Sequence, residues 1–157
     1  NATYYGNTVG DVVLYGADVE VRRELRNGWM FDFQAGVLDA RYLITPAGTT
    51  NDRVPNVPPV TGSIRMIAPI IERYVQAAVR VSAEGQRRIS LASDDESSWA
   101  AIVDFVLSGA ANEVGLRYSI GVYNLFDWQV ALPVAPFPSR TMPQPGRTLM
   151  LSLTLTL

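Results

Sequence analysis

The chain contains no cysteine and no histidine, and all 13 of its basic residues are arginines, so lysine is absent as well. Without these three side chains it has no thiol nucleophile, histidine general base, Schiff-base lysine, or Cys or His metal ligand. It also has no G-x-S-x-G, phosphate-loop or dinucleotide-binding motif. We therefore expect no catalysis, no cofactor and no metal site in this chain.

Two further features are missing, namely long basic runs and long apolar runs. The formal net charge is -2, so binding to nucleic acid has no electrostatic support. A membrane helix needs about 18 consecutive apolar residues. The apolar runs here are shorter, because Pro69 and Asp104 interrupt two of them. These absences exclude a helical membrane protein and argue against a nucleic-acid partner.

What the sequence does contain is an alternation of apolar with polar or small residues along nearly its whole length. In the last segment, leucines at odd positions alternate with threonine, methionine and serine at even positions. A period of two is typical of a β-strand with two unlike faces. The pattern predicts a loop at 1–10 and seven strands at about 11–25, 28–43, 58–70, 73–85, 98–108, 113–126 and 147–157.

The connections between the predicted strands alternate between short and long. Long connections cover 43–57, 86–97 and 127–145, and the tight turns between them include one placed at 109–112. In an antiparallel meander every second connection lies at the same end, so one end carries tight turns and the other long loops. This asymmetry is typical of outer-membrane barrels. The predicted strands, at roughly 10 to 14 residues, also suit a tilted membrane strand better than a globular one.

Alternation alone also fits a small soluble barrel that holds an apolar ligand, as in lipocalins. The predicted polar face is rich in Gly, Ser and Thr, however, and no lysine is available to cover a soluble surface. Trp29, Tyr42, Trp99 and Trp128 lie near predicted strand ends, as expected at membrane–water interfaces. The sequence therefore predicts an all-β fold, an antiparallel up-and-down transmembrane β-barrel.

Four segments carry a resemblance to a known family. They are YGADVEV (15–21), VPNVPPVTGSIRMIAPI (54–70), GVYNLFD (121–127) and PGRTLMLSLTLTL (145–157). In this order they resemble the C-terminal portion of TonB-dependent outer-membrane receptors. In that family a barrel of about 22 strands encloses an N-terminal plug. Its members import scarce nutrients such as siderophores, cobalamin or glycans, driven by an inner-membrane energy-coupling complex.

The resemblance implies that this chain forms the C-terminal wall of such a transporter in the outer membrane of a Gram-negative cell. It implies outer-membrane lipid, the plug, the missing strands and a small-molecule solute as partners. It also implies that the barrel-assembly machinery reads the last strand, which in the family usually ends in an aromatic residue and here ends in Leu157. Asn124 to Asp127 would mark where the penultimate strand leaves the membrane.

Seven strands are far fewer than about 22, so we expect a fragment of a longer receptor. The segment NATYYGNTVG does not resemble a signal peptide. We therefore expect processing or truncation to have removed the signal peptide of an outer-membrane chain. The alternatives are that residues 1–10 supply an eighth strand to a small closed barrel, or that the chain pairs with other chains.

Charged residues on the predicted polar face are candidates for lining a solute path, because the interior of a barrel sets its selectivity. The lumen-facing candidates are Asp18, Glu20, Asp32, Arg65, Arg80, Asp104 and Arg117. The alternative is a hydrated wall in which arginines and carboxylates pair across neighbouring strands. In the last long loop, Trp128 and Phe137 are candidates either for contacting a ligand at the cell surface or for packing over the barrel mouth.

Overall fold

The computed structural model describes residues 11–45, 47–49, 51–72, 74–134 and 141–156. Within these ranges the fold is all-β. The strands are β1 (Val12–Glu24), β2 (Met30–Tyr42), β3 (Val60–Ile71), β4 (Val75–Glu84), β5 (Ala100–Ala111), β6 (Leu116–Tyr123), β7 (Ala131–Pro133), β8 (Thr141–Pro143) and β9 (Thr148–Leu155). A short 3₁₀ helix covers Asn112–Val114. No helix in the described ranges is long and apolar enough to cross a membrane.

Seven of these strands form one antiparallel sheet in which each strand pairs with the next one along the chain, except that β6 pairs with β9. The order is β1-β2-β3-β4-β5-β6-β9, and β7 and β8 form a separate hairpin. The predicted all-β antiparallel meander is therefore confirmed. In the part of the chain that the structure describes, β1 and β9 each have one neighbour in the sheet, so the sheet is open at both edges.

The observed limits of the strands differ from the predicted ones most clearly around the turn after β5. That turn was predicted at 109–112, but β5 continues to Ala111 and the chain reverses at 112–115. Gly109 is paired on both sides, with Val75 and Tyr118. The left-handed backbone that a tight reversal needs occurs at Gly115, whose φ is 66°. The predicted position was wrong because either glycine could adopt the left-handed backbone of a turn, and the sequence alone does not show which one does.

The strand register gives the sheet two chemically different faces, here called the polar face and the apolar face. The polar face is formed by the even-numbered residues of five strands, β1, β2, β4, β5 and β9, and by the odd-numbered residues of β3 and β6. All seven predicted charged candidates lie on this face. The apolar face carries the opposite set, including Phe31, Phe33, Ile64 and the leucines of β9.

The apolar face is not covered by other described parts of the chain. Leu149 and Leu151 in β9 are 70% and 67% exposed, and Val19 and Ile64 are also exposed. Among the described residues, the buried hydrophobic side chains are three alanines, Ala40, Ala68 and Ala100. A soluble domain of this size normally buries its large apolar side chains between two layers. This sheet instead presents them outward.

Candidate functional site on the polar face

A row of charged side chains crosses the middle of the polar face. Arg65 in β3 lies between Asp32 in β2 and Arg80 in β4, and Arg80 in turn lies opposite Asp104 in β5. Arg65 pairs with Asp32, and Arg80 pairs with Asp104. The Nη2 atom of Arg65 is 3.5 Å from Oδ2 of Asp32, and that of Arg80 is 2.6 Å from Oδ2 of Asp104. The carboxylates offset the repulsion between two like charges on adjacent strands.

Asp104 is the most enclosed member of this row, with 4% of its surface exposed. Its Oδ2 atom accepts hydrogen bonds from Nε and Nη2 of Arg80 at 3.0 and 2.6 Å. Its Oδ1 atom accepts a third bond, at 3.0 Å, from the backbone N–H of Asn124. One carboxylate therefore joins β4, β5 and the end of β6.

Asn124 directly follows β6 and begins the last long connection. Its φ of 51° lies in the left-handed region, which asparagine tolerates better than most residues. The side chain donates from Nδ2 to the carbonyl of Trp128 at 2.9 Å and accepts from the Trp128 N–H at 2.8 Å. Three residues later, Oδ1 of Asp127 accepts the N–H of Arg147 at 2.8 Å, which ties the start of the connection to its end.

The three long connections lie at the same end of the sheet and contact one another. The N–H of Asn56 donates to the carbonyl of Arg88 at 2.9 Å, which joins the first connection to the second. Arg88 is only 6% exposed and pairs with Asp94 at 3.0 Å. The rings of Trp99 and Trp128, with centroids 4.8 Å apart, join the second connection to the third. These contacts make a continuous layer at this end.

A cavity of about 820 Å³ lies on the polar face at the long-connection end. Its lining includes a residue from each strand of the sheet: Asp18, Gln34, Thr61, Arg80, Asp104, Tyr123 and Thr148. Asp18 and Thr148 lie in the two edge strands, so this cavity spans the width of the sheet. Val130, Leu132 and Gln144, in and beside the hairpin, also line this cavity.

The predicted site residues are distributed over different parts of this face and its rim. Those that line the cavity at the long-connection end are Asp18, Glu20, Arg80 and Asp104. Asp32 and Arg65 form the neighbouring ion pair, as the hydrated-wall alternative predicts. Arg117 lies in a second cavity near the tight turns. Trp128 packs on Trp99, and Phe137 lies outside the described residues.

Two features of the site were not predicted from the sequence. Asn124 was expected only to mark a strand end, whereas it bonds to Asp104 across 20 positions of sequence. The β7–β8 hairpin lies within 127–145, which the sequence predicts to be a long loop, and its two strands have three residues each. A three-residue strand is too short for an alternating pattern to reveal it.

A comparison with models of known protein families finds no match, and a comparison with curated proteins finds no relative. The resemblance to TonB-dependent receptors therefore stays a prediction from the residues themselves.

Proposed function

We propose that this chain is a wall segment of an outer-membrane β-barrel transporter of the TonB-dependent receptor class, which imports a scarce nutrient. In this proposal the apolar face contacts lipid, and the polar face borders the solute path. The observation that carries the proposal is the division of the sheet, in which the polar-face carboxylates Asp32 and Asp104 are 5% and 4% exposed while large apolar side chains stand outward on the other face.

The energetics favour lipid contact for the apolar face. Leu149, Leu151, Leu153 and Leu155 are all 60% exposed or more. Moving one such side chain from water into hydrocarbon contributes about 1.5–3 kcal/mol. Left in water, the outward leucines of β9 would form a contiguous apolar patch of the kind that marks a membrane or protein contact. Lipid would supply the burial that the described chain does not supply.

Strand length and aromatic placement agree with a membrane crossing. β2 has 13 residues, which at about 3.3 Å per residue span about 43 Å. Tilted by about 45°, such a strand crosses about 30 Å, the thickness of a bilayer core. Trp29 stacks on Phe31 near the tight turns, and Trp99 packs on Trp128 near the long connections. These pairs would occupy the two interfaces, where aromatic rings are favoured.

The open edges support a larger assembly. Unpaired backbone N–H and C=O groups are costly in hydrocarbon, so a membrane sheet has to close on itself or continue. Further strands beside β1 and β9 would satisfy these groups. The tight turns would then face the periplasm, and the layer of long connections would face the cell exterior, as in other outer-membrane barrels.

Site-specific labelling tests which face touches lipid, and the absence of cysteine makes each introduced thiol unique. Leu151→Cys and Met150→Cys place a label on adjacent residues of β9 whose side chains point to opposite faces. After reconstitution in phospholipid vesicles, we expect a fluorophore at 151 to be quenched by brominated lipids and one at 150 to be quenched by an aqueous quencher. Equal lipid quenching at both positions would contradict the proposal.

Charge insertion at the same two positions gives an independent energetic test. Leu151→Arg should lower the free energy of unfolding in a bilayer by about 2–4 kcal/mol, because a charge on the lipid face is strongly disfavoured near the midplane. Met150→Arg adds the same charge to the polar face and should cost much less. If the chain instead remains in the aqueous phase without detergent and both variants lose the same stability, lipid contact is wrong.

A further inference from the structure

A second cavity, of about 580 Å³, lies on the polar face at the tight-turn end of the sheet. Arg117 is its one charged lining residue among those that the structure describes. Its polar lining residues also include Gln76, Ser108, Ser119, Ser152 and Thr154, beside Tyr74 and Tyr118. No described carboxylate lines this cavity, whereas the cavity at the long-connection end is lined by four carboxylates, Asp18, Glu20, Glu84 and Asp104, and by two arginines, Arg80 and Arg87. The two ends of the polar face therefore differ in charge.

The polar groups of the second cavity form an ordered row across four strands. Ser108 in β5 lies opposite both Gln76 in β4 and Ser119 in β6. Ser119 in turn lies opposite Ser152 in β9. Directly opposite side chains in an antiparallel sheet are about 4.5–5.5 Å apart. The result is a line of hydroxyl and amide groups spaced closely enough to contact successive polar groups of one ligand.

Arg117 lies two residues before Ser119 in β6, on the same face of the sheet, and is opposite Thr154 of β9. The other arginines of the polar face, Arg22, Arg65 and Arg80, each pair with a carboxylate. No ion pair involves Arg117 among the described residues. Glu113, in the adjoining turn, is instead within 3.5 Å of the Tyr74 hydroxyl. The Arg117 guanidinium is thus available to an anion that enters the cavity.

We propose that this cavity binds a polyhydroxylated monocarboxylate, such as a sugar acid. The carboxylate would accept two parallel hydrogen bonds from Arg117, the geometry that guanidinium and carboxylate groups favour. The hydroxyl groups of the ligand would bond to the serine row, in which each hydroxyl can donate and accept. One guanidinium balances one negative charge, so a monoanion is favoured over a dianionic phosphate. The cavity lies on the polar face whatever the apolar face contacts.

Three probes with the same six-carbon polyol skeleton but different charge test this proposal. They are gluconate, neutral sorbitol and cationic N-methylglucamine, and their binding to the full chain in detergent micelles can be followed by saturation-transfer NMR. We expect saturable binding of gluconate, weaker binding of sorbitol and none of N-methylglucamine. Arg117→Gln should weaken gluconate binding by about tenfold or more, because it removes a charge-assisted hydrogen bond. Ser119→Ala should weaken it by only about two- to tenfold, because a neutral bond is lost.

Arg26→Gln is the matched control. Arg26 lies in the turn between β1 and β2, at the same end of the sheet, and does not line the cavity. This variant removes the same charge and should bind gluconate as the native chain does. Arg117→Glu should reverse the preference toward N-methylglucamine, a result that loss of folding cannot produce.

The proposal is wrong if N-methylglucamine binds the native chain as well as gluconate does, if gluconate shows no saturable binding, or if Arg26→Gln weakens gluconate binding as much as Arg117→Gln. Lipid quenching at position 151 reports on the membrane assignment separately, so failure of one proposal is distinguishable from failure of the other.

Discussion

Replacing Asp104 with asparagine removes one negative charge and almost no volume at the point where β4, β5 and the last long connection meet. The amide oxygen of Asp104→Asn can still accept the N–H of Asn124, which the native Oδ1 atom accepts at 3.0 Å. What is lost is the ionic acceptor of the two bonds from Arg80, at 3.0 and 2.6 Å. The substitution therefore removes the ion pair with Arg80 and keeps the hydrogen bond from the N–H of Asn124.

The size of the effect depends on how exposed the two partners are. A hydrogen bond to a charged group contributes about 1.5–3 kcal/mol when its surroundings are dry. The Arg80 side chain is 54% exposed, however, and remains hydrated when its partner is removed. Discounting for this exposure, we expect Asp104→Asn to lower the free energy of unfolding by about 1–2 kcal/mol.

Asp104→Ala should cost more, because the buried N–H of Asn124 would also lose its acceptor. An unsatisfied buried donor adds about 1–3 kcal/mol. We therefore expect a total of about 2–4 kcal/mol, since neighbouring effects do not add fully. Urea unfolding of the chain reconstituted in lipid or detergent, followed by tryptophan fluorescence, measures both losses.

A double-mutant cycle with Arg80→Met identifies the source of the loss. Asp104→Asn should cost little in the Arg80→Met background, whereas Asp104→Ala should retain the part that belongs to Asn124. The reasoning would be refuted if Asp104→Asn and Asp104→Ala destabilised the chain equally, or if the loss from Asp104→Asn were the same with and without Arg80.

Two further substitutions test packing around the sheet. A Cβ atom added at Gly109 would overlap the backbone carbonyl oxygen of Tyr74, so Gly109→Ala should destabilise the sheet by about 1–3 kcal/mol in urea unfolding. Gly62→Ala, whose Cβ would meet its neighbour at an ordinary 3.5 Å, should be nearly neutral; equal losses would contradict this account. Trp128→Ala removes the ring contact with Trp99 and should speed limited proteolysis within residues 128–147, a rate that the same change at Trp29 should leave unaltered.

The faces of the strands were predictable from the sequence, whereas some strand ends were not. Alternation is local, because successive side chains in a strand point to opposite sides. It therefore assigned Asp32, Arg65, Arg80 and Asp104 to one face without knowledge of their neighbours. The end of β5 depends on a contact with a distant residue. Gly109 can remain in the strand because it has no side chain, which leaves room for the carbonyl oxygen of Tyr74.

The sequence by itself determined the class of the fold and the chemistry of each face, because a period of two requires only that the chain be extended. Only the tertiary structure decided which charges meet. Arg80 and Asp104 are 24 positions apart, and Asn124 is a further 20 positions from Asp104. No local period specifies contacts over such separations, because strand register and turn geometry set them together. The cavity at the long-connection end likewise became visible only in the structure, because its lining draws on all seven strands of the sheet.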